Sequence, residues 1–253
     1  MRPEELSALA YEKKSLLCVA LDPSEEAFHQ SQLTVEAAEE RLYQVIEATA
    51  SYAIAYKLNT AFYERWGEKG WGLLRRIRAA LPSPALTIAD AKRGDIAHTS
   101  QYYARGIFEE LGFDAITVHP YMGWVGLEPF LQYEGKWVFV LLRTTEAPAW
   151  QKEVWRTILE EIPSHIKATL GWVWGAHYGK EITELREKRP RDWLLVPGVG
   201  AQGGKLEGGA PLFPSLIVVG RAILQKPEEA KAWAAASAAF LPQAEATGRF
   251  ELP

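Results

Sequence analysis

Eight short apolar runs, most of them followed by a stretch with helical spacing, constrain this chain more than any other feature it has. The expected strands are Ser15 to Leu21, Ala53 to Asn59, Ala85 to Asp90, Ala115 to His119, Trp137 to Leu142, Ala168 to Val173, Trp193 to Val196 and Leu216 to Val219. Thr34 to Ser51 carries Val35, Ala38, Leu42, Val45 and Ile46 on one stripe, the repeat of an amphipathic helix. Further helices are expected over Trp71 to Leu81, which Pro82 and Pro84 stop, and over Ile96 to Leu111, Ala149 to Glu161, Lys180 to Arg189 and Pro227 to Phe240. Short buried strands with helices between them build a parallel sheet. Eight such units in 253 residues, without a long linker or a break in composition, match one (β/α)8 TIM barrel domain over 1–253. An open doubly wound sheet is the alternative.

In such barrels the chemistry sits at the carboxyl ends of the strands. The third strand runs into Asp90-Ala-Lys92-Arg-Gly-Asp95-Ile. With a side-chain period of two, Asp90 and Lys92 leave it on the same face, and Asp95 follows where the chain turns into a helix. Two carboxylates around one ammonium are expensive to assemble unless something uses the charges. The chain has 27 Glu and only five Asp, two of them in this heptapeptide, so the shorter carboxylate is needed there for reach. Alone, the run also fits a strand-end ion pair with Asp95 as a plain N-cap.

The other strand ends favour a site. The first ends at Asp22, and the second puts Lys57 and the single asparagine, Asn59, on the inward face with Ala53 and Ala55. The fifth delivers Arg143, Thr144 and Thr145. The last two open into Pro197-Gly-Val-Gly-Ala-Gln202-Gly203-Gly and Gly220-Arg221. Glycines let amide N–H groups approach an anion, and Arg221 would add a bidentate fork. Loops after strands 7 and 8 are the usual phosphate grip of this barrel. Lys57 reads either as a snorkelling lysine or as a Schiff-base nucleophile.

Composition removes other classes. A net charge of −4 argues against nucleic-acid or anionic-membrane binding. Cys18 is the only cysteine, so no intrachain disulfide or Cys-rich zinc site can form. The five His show no H-x-H or H-x-x-x-H spacing, and no metal site is expected. A charged N-terminus without a signal-like apolar stretch, and no run long enough to span a bilayer, fit a reducing cytoplasm.

Asp90-Ala-Lys92-Arg-Gly-Asp95-Ile resembles the D-x-K-x-x-D-I signature of the orotidine 5'-phosphate decarboxylases. Lys57 in Tyr-Lys-Leu-Asn-Thr-Ala-Phe-Tyr-Glu is similar to that family's strand-2 lysine, and Pro197 to Gly204 and Val219-Gly220-Arg221 to its phosphate loop and phosphate arginine. The matches run in order from Asp22 to Arg221, and Asp22-Pro and Phe62-Tyr-Glu resemble the longer bacterial subgroup. Thr144-Thr145-Glu stands where that subgroup often has Thr-Ser-Asn, and the base-contacting hydroxyl is assigned to Thr145. Ala97-His98 and His177 are further departures.

The resemblance implies loss of CO2 from orotidine 5'-monophosphate to give UMP, with no metal or organic cofactor. It makes Lys92 the proton donor at C6 and sets Asp90 against the substrate carboxylate. Lys57 braces Asp90, and Asp22 and Asn59 meet the ribose or order the lysines. Gln202, Gly203 and Arg221 hold the phosphate beneath a lid over Gln202 to Pro214. Asp95 and Thr99 reach into the neighbouring subunit of a homodimer with shared sites. The rivals are a magnesium-dependent sugar-phosphate lyase of the same barrel superfamily and a non-catalytic nucleotide-binding barrel.

Overall fold

A computed structural model describes residues 1–146, 148–198 and 212–242. Eight parallel strands close into a barrel in sequence order. They are β1 (Leu17–Ala20), β2 (Ala55–Asn59), β3 (Leu86–Arg93), β4 (Ala115–Val118), β5 (Trp137–Arg143), β6 (Thr169–Trp174), β7 (Trp193–Val196) and β8 (Ser215–Val219). The pairing of β1 with β8, Cys18 opposite Val218, closes the ring and excludes the open sheet. Nearly every strand residue is buried, as a sheet covered on both faces requires.

The helices are α1 (Pro3–Lys13), α2 (Glu25–Phe28), α3 (Val35–Thr49), α4 (Ala61–Glu64), α5 (Gly67–Ala80), α6 (Ala97–Arg105), α7 (Gly123–Leu131), α8 (Ala149–Glu160), α9 (Gly179–Lys188), α10 (Arg221–Gln225) and α11 (Ala230–Ala238). The stripe expected on α3 is its buried face, and Thr34 caps it by accepting from the Ala37 N–H at 3.2 Å. The helix expected over 96–111 is α-helical to Arg105 and finishes as a π-turn over Gly106–Glu110. The sequence reading has no helix between β4 and β5, yet α7 forms there despite Gly126 and an internal Pro129. It also lacks α1, whose Leu6, Leu9 and Ala10 are buried.

Five of the ten indoles are buried in the body of the barrel. Trp137, Trp155, Trp172, Trp174 and Trp193 are all essentially inaccessible. Among the described residues no helix is long and apolar enough to cross a membrane.

Candidate active site

A cavity of about 440 Å³ opens at the carboxyl ends of the strands. Its floor takes side chains from the strands themselves, and they divide by polarity. Lys57 of β2, Asp90 of β3 and Thr117 of β4 make one half. Leu141 of β5, Val173 of β6, Leu195 of β7 and Val218 of β8 make the other. Such a floor suits a flat ligand with one charged edge and one apolar face.

The polar half is an alternating charge array. Asp90 Oδ2 accepts from Lys57 Nζ at 2.8 Å, and Asp90 Oδ1 accepts from Lys92 Nζ at 2.7 Å. Lys57 Nζ also reaches Asp22 Oδ2 at 3.2 Å. Lys57 and Asp90 are only 6% and 8% exposed, whereas the Lys92 side chain is 47% exposed and faces the cavity. Burial would push the Asp90 carboxyl up, but the two ammonium groups outweigh it and hold it well below the usual carboxylate range. Burial would pull Lys57 down, but Asp22 and Asp90 outweigh it and raise it above an ordinary lysine. Both therefore stay ionised around neutral pH.

Plain alternation does not account for the Lys92 geometry. The β3–β4 register shifts between Ala89 and Arg93, a bulge of the kind that re-aims a side chain. Lys92 sits there at φ 47°, a left-handed conformation that costs a non-glycine residue about 1–3 kcal/mol. Thr117 holds it: its Oγ1 accepts the Lys92 N–H at 3.0 Å and donates to Asp90 Oδ1 at 2.8 Å. The sequence reading missed Thr117. Its signal was an inward-facing hydroxyl two residues before His119 in an otherwise apolar run.

Asp22, Lys57, Asn59, Asp90, Lys92, Thr145 and Arg221 line this one cavity, as expected from the strand ends. Asp22 Oδ1 accepts the Asn59 N–H at 3.0 Å, and Asn59 Oδ1 accepts from Ala61 N at 3.2 Å. Thr144 is engaged by Gln151, whose Oε1 accepts from both its N–H and its hydroxyl. The Thr145 hydroxyl has no partner among the described residues. Arg143 turns away to pair with Glu181 at 2.7 Å and stack on Tyr178. Gln202 and Gly203 lie outside the described residues.

Asp95 and Thr99 do not line the cavity. Asp95 Oδ1 accepts from Ile96 N at 2.7 Å, just before α6. Close packing fixes this turn: a Cβ at Gly94 would stand 2.6 Å from the His119 ring, and one at Gly126 of α7 would stand 2.5 Å from the Asp95 carbonyl. The His119 ring and carbonyl thus form one wall of this turn. Glu26, not singled out in the sequence, lines the cavity and pairs with Arg221. Among the described residues no three His, Cys, Asp or Glu side chains converge as a metal site requires.

The family model described as "Orotidine 5'-phosphate decarboxylase / HUMPS family" matches residues 15–236. An orotidine 5'-phosphate decarboxylase of Dehalococcoides mccartyi is 38% identical over 217 residues, covering 81% of this chain and 79% of that protein. The Leishmania donovani OMP decarboxylase structure superimposes with a TM-score of 0.79 at 34% identity, over 95% of this chain and 99% of that one. The UMP synthase structure of the same organism gives 0.82 at 35% identity over 94% of this chain, which spans only 55% of that protein. A closed barrel, a D-x-K-x-x-D turn at the end of its third strand and these likenesses together place the chain in the orotidine 5'-phosphate decarboxylase / HUMPS family.

Proposed function

We propose that this protein decarboxylates orotidine 5'-monophosphate to UMP and CO2, a step of pyrimidine nucleotide synthesis, and that it works in the cytoplasm. The observation that carries the proposal is the Lys57–Asp90–Lys92 array, buried at one end and open to the cavity at Lys92. When the bond from C6 to the carboxylate breaks, CO2 departs and the electron pair stays on C6 of the pyrimidine. That vinyl carbanion has no ring position to delocalise into, so a preplaced cation must stabilise it. Lys92 is that cation, and its Nζ proton passes to C6, after which the amine is reprotonated from solvent. Asp90 faces the departing carboxylate and keeps Lys92 charged. The apolar half of the floor strengthens each of these interactions by excluding water. Thr145 meets the base and Asp22 and Asn59 the ribose, while Arg221 with Gln202 and Gly203 grips the phosphate. Binding energy from that remote group is used at the reacting carbon.

A homodimer with shared sites belongs to the same proposal. Asp95 and Thr99 stand outside their own cavity, beside Ile96 (57% exposed) and, across the α7 contact, Val125 (70% exposed). A second copy covering this apolar rim would bring its Asp95 and Thr99 toward Lys92. The magnesium-dependent alternative fits less well, because Asp22 and Asp90, the cavity's aspartates, are already neutralised by lysine.

The test is the ultraviolet absorbance decay of orotidine 5'-monophosphate with purified protein in excess EDTA. Turnover in chelator is expected, with kcat reduced at least about 10³-fold in Lys92→Ala while UMP still binds. No turnover by the unmodified protein, with UMP binding intact, would leave only a nucleotide-binding barrel.

A further inference from the structure

We infer that Glu26 occupies Arg221 as an internal stand-in for the substrate phosphate, so that the nucleotide binds by displacing a carboxylate from the guanidinium. The inference rests on the phosphate role proposed above for Arg221. Glu26 Oε1 accepts from Arg221 Nη1, and both residues line the active-site cavity. The Glu26 side chain is 72% exposed, so burial does not force it onto Arg221. Its neighbour is committed elsewhere: both Glu25 oxygens accept from Arg65 Nη1 at 2.8 Å.

The backbone brings Glu26 to this place. Ser24 Oγ caps α2 by accepting from Ala27 N at 3.1 Å, and Gln225 Nε2 donates to the Glu26 carbonyl at 3.4 Å. Arg41 Nη2 holds the last carbonyls of α10, Leu224 and Gln225, at 3.2 Å each. Since α2 follows β1 and α10 follows β8, the contact lies across the seam where the barrel closes.

A carboxylate presents two oxygens to a guanidinium much as a phosphate does, but with one negative charge. A phosphate dianion gains Coulomb energy by replacing it; a monoanion exchanges like for like. Glu26 therefore selects for the dianion. Its cost is set by the fraction of molecules whose Arg221 is free, because apparent affinity scales with the competent population. For an exposed pair that factor is at most about fivefold.

The experiment is a double-mutant cycle on the KM for orotidine 5'-monophosphate. Glu26→Gln is expected to lower KM about threefold at low ionic strength, and the difference should vanish near about 0.5 M salt. In an Arg221→Ala background Glu26→Gln should have no effect, which a purely structural role of Glu26 would not reproduce. A KM that is unchanged or raised by Glu26→Gln overturns the inference, since a rise would mean that Glu26 aims Arg221 instead of competing for it. Arg221→Ala alone separates the two levels. A KM at least about tenfold higher supports the phosphate role, and with Glu26→Gln neutral only the Glu26 inference falls. An unchanged KM in Arg221→Ala removes the phosphate role and the inference with it.

Discussion

Asp90 neutralises two lysines, one buried and one exposed, and its contribution to stability has a definite dependence on pH. Its carboxyl is held below the ordinary 3.8, so its stabilisation is complete above about pH 4 and fades as the pH falls below that. Lys57 is raised above the ordinary 10.5, so its stabilisation is complete below that value and is lost as the pH rises through its elevated one. Breaking a buried pair from one side costs about 3–5 kcal/mol. Asp90→Asn should therefore be destabilised by about that much at pH 7, measured by urea unfolding. The gap to the unmodified protein should stay constant between about pH 5 and 9 and shrink by about 1 kcal/mol at pH 3. An equal gap at pH 3 and pH 7 would deny Asp90 its ionised role. Thr117 works by position: Thr117→Val keeps the shape but removes the acceptor for the Lys92 N–H and the donor to Asp90. A drop of about tenfold in kcat with little change in KM is expected, as for loss of one hydrogen bond to a charged group. A change confined to KM would count against it.

At the level of elements, the barrel was legible because β1 to β8 are short, mostly apolar and separated by helix-length stretches, and a parallel sheet leaves them little choice of arrangement. α7 was not, because Gly123, Gly126 and Pro129 are helix-breaking by propensity and only packing against the neighbouring turn overrides them. The Asp90, Lys92 and Lys57 cluster was legible for a similar reason: charged residues at inward strand positions must find each other. The bulge that aims Lys92 was not, since it is a register event between two strands. Glu26 was invisible because its role depends on the closure that sets α2 beside α10. Arg186 of α9 shows how one element supports another. Burial pulls its guanidinium down to about 10, against the opposing pull of Asp192, and its Nη2 donates to the carbonyls of Leu212 at 3.0 Å and Pro214 at 2.7 Å. That segment feeds β8 and therefore Arg221. Arg186→Met leaves buried carbonyls without this donor and should cost about 2–4 kcal/mol in thermal unfolding, with a raised KM for the nucleotide. Arg156→Met, which breaks a half-exposed pair with Glu184, should cost under about 1 kcal/mol. Equal losses in the two variants would show that Arg186 is no strut.

For the whole molecule, the decisive matter is whether one chain completes its own site. In the proposed dimer each cavity takes Lys92 from one copy and Asp95 from the other, as two-fold symmetry requires. Lys92→Ala and Asp95→Ala should then each be nearly inactive alone, for different reasons. In a heterodimer of the two, one cavity carries both lesions and the other carries neither. Random reassortment of an equal mixture makes about half of the dimers mixed, each with one intact cavity of two, so about a quarter of all sites recover. Activity should rise on mixing with the time course of subunit exchange and settle near that fraction. Val125→Asp, which puts a charge on the exposed apolar rim, should weaken the dimer in sedimentation and abolish the recovery. If the mixture stays as inactive as its parents while exchange is demonstrated by differently tagged chains, each barrel works alone, and Asp95 is left with holding the turn before α6 through its hydrogen bond from Ile96 N.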